Sequence, residues 1–314
     1  LWGLYVNVEA INDKYTNKHY ATVNSPLIKC NPLNLDMTPG GENSNLSDTH
    51  GNDSSFYYNY YDLKSNAGWA DLYTLIDNLN NNVSAVDNYL NVDRTLWMHA
   101  FNYALINFDS YVGYGQNYYL YKGLSNQFQP ILWDLNMSFG GFRLTDATQS
   151  FFNGFDINQA QTMDPLNFIN NSFLSPRPLI TQLLNNPRHK KMYLAHMRTI
   201  IEEHFSNQDY SVRAQFLQNL ISNDVQNDVN KFYSFNDFQN NLNNQVTIPS
   251  SICPGITQLM DARTTYLTNY WAGFTQPTIS NIQSIPNSNQ FFGDDLTITA
   301  QIQNASYAML AYRY

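Results

Sequence analysis

The feature that most constrains this chain is a change in the period of its apolar residues. Between residues 69 and 108, Leu72, Leu75, Ile76 and Leu79, then Leu96, Ala100 and Tyr103, recur three or four positions apart, with Asp93 placed to cap the second run. That is the spacing of helices with one buried face. From Gln116 to Tyr121 and from Phe128 to Trp133 the character becomes that of strands, separated by the polar turn Gly123-Leu124-Ser125-Asn126. The switch predicts helices leading into a β-hairpin within an α+β protein.

The same signals organise the rest of the chain. Leu4, Val6 and Val8 alternate with Tyr5, Asn7 and Glu9 in the manner of a strand, and Leu27-Ile28-Lys29 ends a second one. Residues 31 to 55, rich in Asn, Gly, Ser and Asp and containing Pro39-Gly40-Gly41, predict a long surface loop. Helical regions are expected over 178 to 206, 211 to 232 and 254 to 272. After Gln276 the sequence turns to Pro, Ser and Asn, and 296 to 302 alternates as a strand. Residues 1–275 are therefore expected to form the main domain, and 276–314 to begin a β-rich module. Leu1-Trp2 enters strand-like sequence at once, without Met or a leader, and Ala311-Tyr312-Arg313-Tyr314 stops in strand-like sequence. Both ends predict a piece of a longer precursor.

Charge narrows the functional classes. A net charge of −9 opposes general nucleic-acid binding, which needs surplus Lys and Arg. A nucleotide held through a divalent cation suits an acidic chain, because carboxylates bind the cation and the cation binds phosphate. Only 13% of residues are charged, so uncharged Asn, Gln, Ser and Thr must supply much of the polar surface, a composition suited to an exported or cell-surface protein. No stretch reaches the roughly 20 apolar residues of a membrane span. Cys30 and Cys253 fit a long-range disulfide or two buried thiols equally well. None of the six histidines forms HExxH, and GxSxG is absent, so hydrolase readings have little support.

Chemistry concentrates in Phe108–Tyr121 and Pro130–Gly140. Asp109 stands at a predicted helix end, Asn117 enters one strand, and Asp134 leaves the next. Phosphoryl transfer uses this combination: one carboxylate to orient or deprotonate a hydroxyl, and oxygen ligands to hold Mg²⁺ against phosphates. The segments Asn117-Tyr118-Tyr119-Leu120-Tyr121 and Trp133-Asp134-Leu135-Asn136-Met137-Ser138-Phe139-Gly140 resemble the CotH kinase family, the spore-coat protein H type of atypical kinase. Gly3-Leu4-Tyr5-Val6-Asn7-Val8-Glu9, Leu27-Ile28-Lys29, Arg177-Pro178-Leu179-Ile180, and Pro254-Gly255-Ile256 with Arg263 extend the likeness over residues 1 to 272 in the family's order.

The resemblance implies an atypical protein-kinase-like bilobal fold whose N-terminal lobe is incomplete, since the family's RGNS-type region has no counterpart, followed by a partial β-sandwich segment of Ig-like type. It makes Asp109 the catalytic acid/base, Asn117 and Asp134 the metal ligands, Lys29 the phosphate-pairing lysine, and Glu9 its support. ATP and Mg²⁺ are the implied cofactors, and a protein with a Ser or Thr acceptor the implied partner. Asn136 stands where the family often has Asp. The competing expectation is a non-catalytic surface, coat-assembly or carbohydrate-associated module that keeps the kinase-like fold.

Overall fold

The computed structural model describes residues 3–22, 24–38, 40–145, 154–167, 175–248, 251–275, 277–285, 295–305, 308 and 310. Leu1-Trp2, Pro39 and Ala311–Tyr314 lie outside them. The chain divides into two compact units, Leu1–Leu267 and Thr268–Tyr314.

The first unit is built on a four-stranded antiparallel sheet. Its strands are β1 (Leu27–Cys30), β2 (Tyr61–Leu63), β3 (Tyr118–Lys122) and β4 (Phe128–Leu132), in the order β2-β1-β3-β4. The predicted hairpin is β3–β4, closed by residues 123–127 and registered by Tyr119↔Ile131 and Leu120↔Pro130. Pro130 is tolerated because β4 is the outer strand, where a missing N–H costs no ladder bond.

Strand alternation divides the sheet into two faces. Leu27, Tyr119, Tyr121 and Ile131 form one cluster. Tyr15 and Tyr20 of α1 (Asp13–Tyr20) pack against it, Tyr20 lying 5.0 Å from Tyr121. Ile28, Cys30, Tyr118 and Leu120, on the other face, are wholly or almost wholly buried. α2 (Trp69–Asn81) buries Leu72, Leu75, Ile76 and Leu79, as its period predicts. α3 (Val92–Ala104) is capped by Asn91, whose side chain accepts from the Arg94 N–H. Asp93 instead lies in the first turn and bonds His196 Nε2 at 2.8 Å. The cap moved two positions because the residue before the first helical turn takes that role, whatever acid follows.

Three further expectations change. Residues 4–11 form no strand, and Tyr5, Val6 and Val8 are largely exposed. Alternation makes a strand only beside a sheet edge, and no described strand pairs with this segment. The 178–206 region is two helices, α6 (Pro178–Asn185) and α7 (Pro187–His204); Asn186 caps the second and Pro187 starts it. Between α3 and α6 the chain adds the four-residue α4 (Tyr111–Tyr114) and α5 (Ile157–Gln161). Finally, the loop after β1 does not stay at the surface. Residues 43–47 are buried, and tyrosine hydroxyls take their main chain: Tyr118 Oη donates to Ser44 O at 2.7 Å, Tyr111 Oη donates to Asn45 O at 2.9 Å, and Leu46 N–H donates to Tyr61 Oη at 2.8 Å. Polar composition marked a loop correctly but could not reveal that buried phenols satisfy it.

α8 (Asp209–Asn227), α9 (Phe235–Asn240), β5 (Val246–Ile248), β6 (Ser251–Cys253) and α10 (Ile256–Ala272) follow. Cys30 and Cys253 are both free thiols. Arg263 of α10 is fully buried and donates to Tyr103 O, Ala104 O, Ala160 O and Met163 O at 2.7–3.2 Å, so it gathers the end of α3, α5 and the residues just after α5. The second unit contains an antiparallel ribbon of β7 (Thr278–Ile285) and β8 (Thr297–Gln303). A register shift between Ser280 and Gln283, with Asn281 at φ 52°, interrupts its pairing. No described helix is long and apolar enough to cross a membrane.

His99, wholly buried on α3, makes a 3.0 Å hydrogen bond through Nε2 to Leu179 O, and burial pulls its pKa down to about 4. The unfolded chain would take up a proton near pH 6.5, the ordinary value, while the folded one resists. Stability should therefore fall as pH drops from about 6.5 to about 4, by about 3 kcal/mol from this residue. Denaturant titrations across that window check it: His99→Gln should flatten the slope, and an unchanged slope would assign it elsewhere.

Candidate active site

Two loops carry the predicted residues, and main-chain bonds join them. After α3 the chain turns through Ile106 at φ 50°, and Asn107 N–H donates to Asn102 O at 2.7 Å. After β4, Phe139 N–H donates to Leu105 O at 2.8 Å and Gly140 N–H to Ile106 O at 3.1 Å. The segment holding Asp109 and the segment following Asp134 are thus clasped side by side.

Asp109 lies between α3 and α4, just before Ser110, whose side chain caps α4. It therefore faces the N-terminal side of a helical turn rather than the C-terminal end its sequence position suggested. Gly113 lets α4 close onto this loop, because a Cβ there would meet Phe108 O at 2.0 Å. The buried Arg177 holds the turn from behind, its Nε donating to Tyr111 O at 3.0 Å and Nη2 to Gly113 O. Burial raises the Asp109 pKa; a hydrogen bond from Gln116 opposes the rise, and the Asp134 charge adds to it.

Asn117 has φ 57°, and its Nδ2 donates to Asp109 O at 3.0 Å. An amide whose nitrogen faces a carbonyl turns its oxygen the other way, and Asn117 Oδ1 takes no hydrogen bond among the described residues. Asp134, at φ 52° and ψ 67°, precedes a 3₁₀ turn over Leu135–Met137 and makes no capping bond with its side chain. It is exposed, as is Asn136.

A cation is not excluded by this donor set; it fits it. Asp134 offers a carboxylate with no hydrogen bond among the described residues, and Asn117 an amide oxygen. Hard oxygen ligands of this kind suit Mg²⁺, which keeps positions for phosphate and water rather than filling an all-protein cage. Asn107 Oδ1 and Ser138 Oγ in the flanking loops are buried polar atoms without a partner. Among the described residues no cluster of three or more His, Cys, Asp or Glu forms a metal cage.

Lys29 and Glu9 are not brought together. Lys29 sits mid-strand opposite Tyr119 and Asp62, but Asp62 pairs with Lys64, and no ion pair to Lys29 occurs among the described residues. Glu9 is paired at 3.0 Å with both Lys18 and His19, so the support expected for Lys29 is not formed. Lys29 does share its sheet face with Tyr119, whose ring lies 5.5 Å from that of Trp133, the neighbour of Asp134. A cavity of about 590 Å³ lies elsewhere, among α8, α9 and β5–β6, with Phe139 from the loop after Asp134 in its lining.

A family model described as CotH kinase protein matches residues 1–253. The chain belongs to the CotH kinase family. Membership makes it a kinase-like protein, and the α+β architecture agrees with that. A search among curated proteins returns no match. Asp109, Asn117 and Asp134 all lie inside the CotH kinase match, as does the arginine clamp at Arg177. Gln116 is the residue sequence reasoning missed. Its signal was its place between Gly115 and Asn117, two residue types that accept left-handed backbone.

Proposed function

We propose that this protein is an exported, ATP- and Mg²⁺-dependent protein kinase that transfers the γ-phosphoryl group to Ser or Thr hydroxyls of surface or coat proteins. The supporting observation is the clasp between the two loops, which joins the segment holding Asp109 to the segment following Asp134, together with the Asn117 bond to Asp109 O. Family membership supports a kinase-type phosphotransferase, and the low charge content supports export.

Asp134 and Asn117 would hold the cation, which when bound neutralises charge on the phosphates. Asp109 orients the acceptor hydroxyl and takes its proton as the oxygen attacks the γ-phosphorus and the bond to the ADP oxygen breaks. Lys29 pairs with phosphate oxygens from the sheet face. A second reading, a nucleotide-binding module without transfer, draws on one observation: Glu9 pairs with Lys18 and His19, and no carboxylate pairs with Lys29 among the described residues.

Transfer from γ-labelled ATP to a Ser/Thr-containing protein acceptor, with Mg²⁺ and then with chelator, tests the proposal. Label should appear only with Mg²⁺. Asp134→Ala should weaken Mg²⁺-dependent ATP binding on the order of tenfold or more, as loss of a ligand does. Binding unchanged in that variant would remove Asp134 from the site, and binding without any transfer would favour the second reading.

A further inference from the structure

We propose that Gln116 is the positioning residue of the site, its side-chain amide fixing the Asp109 carboxylate so that one chosen oxygen faces the acceptor. This rests on the reading of Asp109 as the group that receives the acceptor hydroxyl.

The geometry is local and specific. Gln116 is 7% exposed, and its Nε2 donates to Asp109 Oδ1. Its own N–H reaches Ser110 O at 3.4 Å, and Asn117 Nδ2 takes Asp109 O at 3.0 Å. Two consecutive amides therefore reach back to one aspartate, one binding its carboxylate and the other its main-chain carbonyl. No further hydrogen bond reaches that carboxylate among the described residues, so Oδ2 is the oxygen left to receive a hydroxyl.

Backbone shape makes the double reach possible. Gly115 has φ 64° and ψ 53°, and Asn117 has φ 57°, so left-handed residues stand on both sides of Gln116 and turn the strand entry back towards the loop. A Cβ at 115 would meet the Asn45 and Ser44 backbone at 3.3 Å, so the buried loop presses on the same turn. An amide suits the task because it donates without charge. Arg or Lys there would hold the carboxylate in an ion pair and compete with the acceptor, whereas Gln orients one oxygen and leaves the other reactive.

Gln116→Met keeps the length of the side chain but removes the donor, and Gln116→Glu replaces the donor by an acceptor. Both should lower kcat by roughly 10²-fold, the effect of losing alignment at a reacting group, while KM for ATP stays unchanged and the melting temperature of Gln116→Met stays near wild type. Wild-type kcat in both variants overturns the proposal, and so does a joint loss of kcat, ATP affinity and thermal stability in Gln116→Met, which would make Gln116 a packing residue only. A readout without turnover separates this from the functional reading. The Gln116 side-chain amide resonance should move in Asp109→Ala, even in a protein that transfers no phosphate, and a resonance indifferent to that substitution overturns the proposal.

Discussion

Arg263→Met should leave the protein unable to fold stably. The side chain is fully buried, and its hydrogen bonds all end on main-chain carbonyls, those of Tyr103, Ala104, Ala160 and Met163. No carboxylate accompanies the charge in these bonds. The last turn of α3 supplies two of the carbonyls, where the helix dipole concentrates partial negative charge, so a cation is well placed despite its burial. Burial lowers the guanidinium pKa to about 10, which keeps it protonated at neutral pH. A Met of similar length removes every donor at once. Each buried carbonyl left without it costs about 1–3 kcal/mol. The sum reaches roughly the 5–15 kcal/mol by which a domain is stable at all. Arg263→Lys should also be severely destabilised, since one ammonium cannot span carbonyls on separate segments. Denaturant unfolding and soluble yield measure both variants; a midpoint close to wild type in Arg263→Met would mean that the clasp contributes little.

Asp109→Asn should act in the opposite way, removing activity and sparing the fold. The substitution is isosteric, and Asn Oδ1 can still accept from Gln116. What it removes is the group that takes the hydroxyl proton, and transfer should fall by about 10²–10⁴-fold. Stability should hold or rise. Burial raises the Asp109 pKa and the Asp134 charge adds to the rise, so above the folded pKa the ionised group costs the native state energy that a neutral amide does not. Activity and melting temperature measured on the same preparation check both halves. Equal loss of both would mark Asp109 as a structural residue, and full retention of transfer would remove it from the chemistry.

What was legible in the sequence followed periodicity and motif order. The helices at 69–81 and 92–104 and the hairpin at 118–132 were readable because their apolar faces must be buried against something, and the spacing states which face. Residues 4–8 show the limit of that reasoning, since alternation is necessary for a half-buried strand but does not supply the neighbouring strand. Asp109, Asn117 and Asp134 were singled out as candidates through chemistry and family resemblance, and the structure sets the first two in contact through Asn117 Nδ2 and Asp109 O. The pairing of Glu9 with Lys18 and His19 was hidden because it depends on α1 folding back on the chain before it. Gln116 was hidden because its role depends on two backbone angles. The buried loop at 43–47 was hidden because its partners, Tyr61, Tyr111 and Tyr118, look like ordinary core residues until their hydroxyls find the main chain.

The bonds from Phe139 and Gly140 to Leu105 and Ile106 have an evolutionary side. They are written in peptide groups and consult no side chain, so substitutions in the 3₁₀ turn between Asp134 and Phe139 can accumulate without moving either carboxylate. Asn136, standing where the family often has an acid, is a change of that sort: exposed, and outside the clasp. On the proposed reading, a lineage can therefore vary the charge around the cation, and with it the preference for metal or acceptor, while inheriting the same alignment of the two loops. Specificity becomes adjustable independently of geometry.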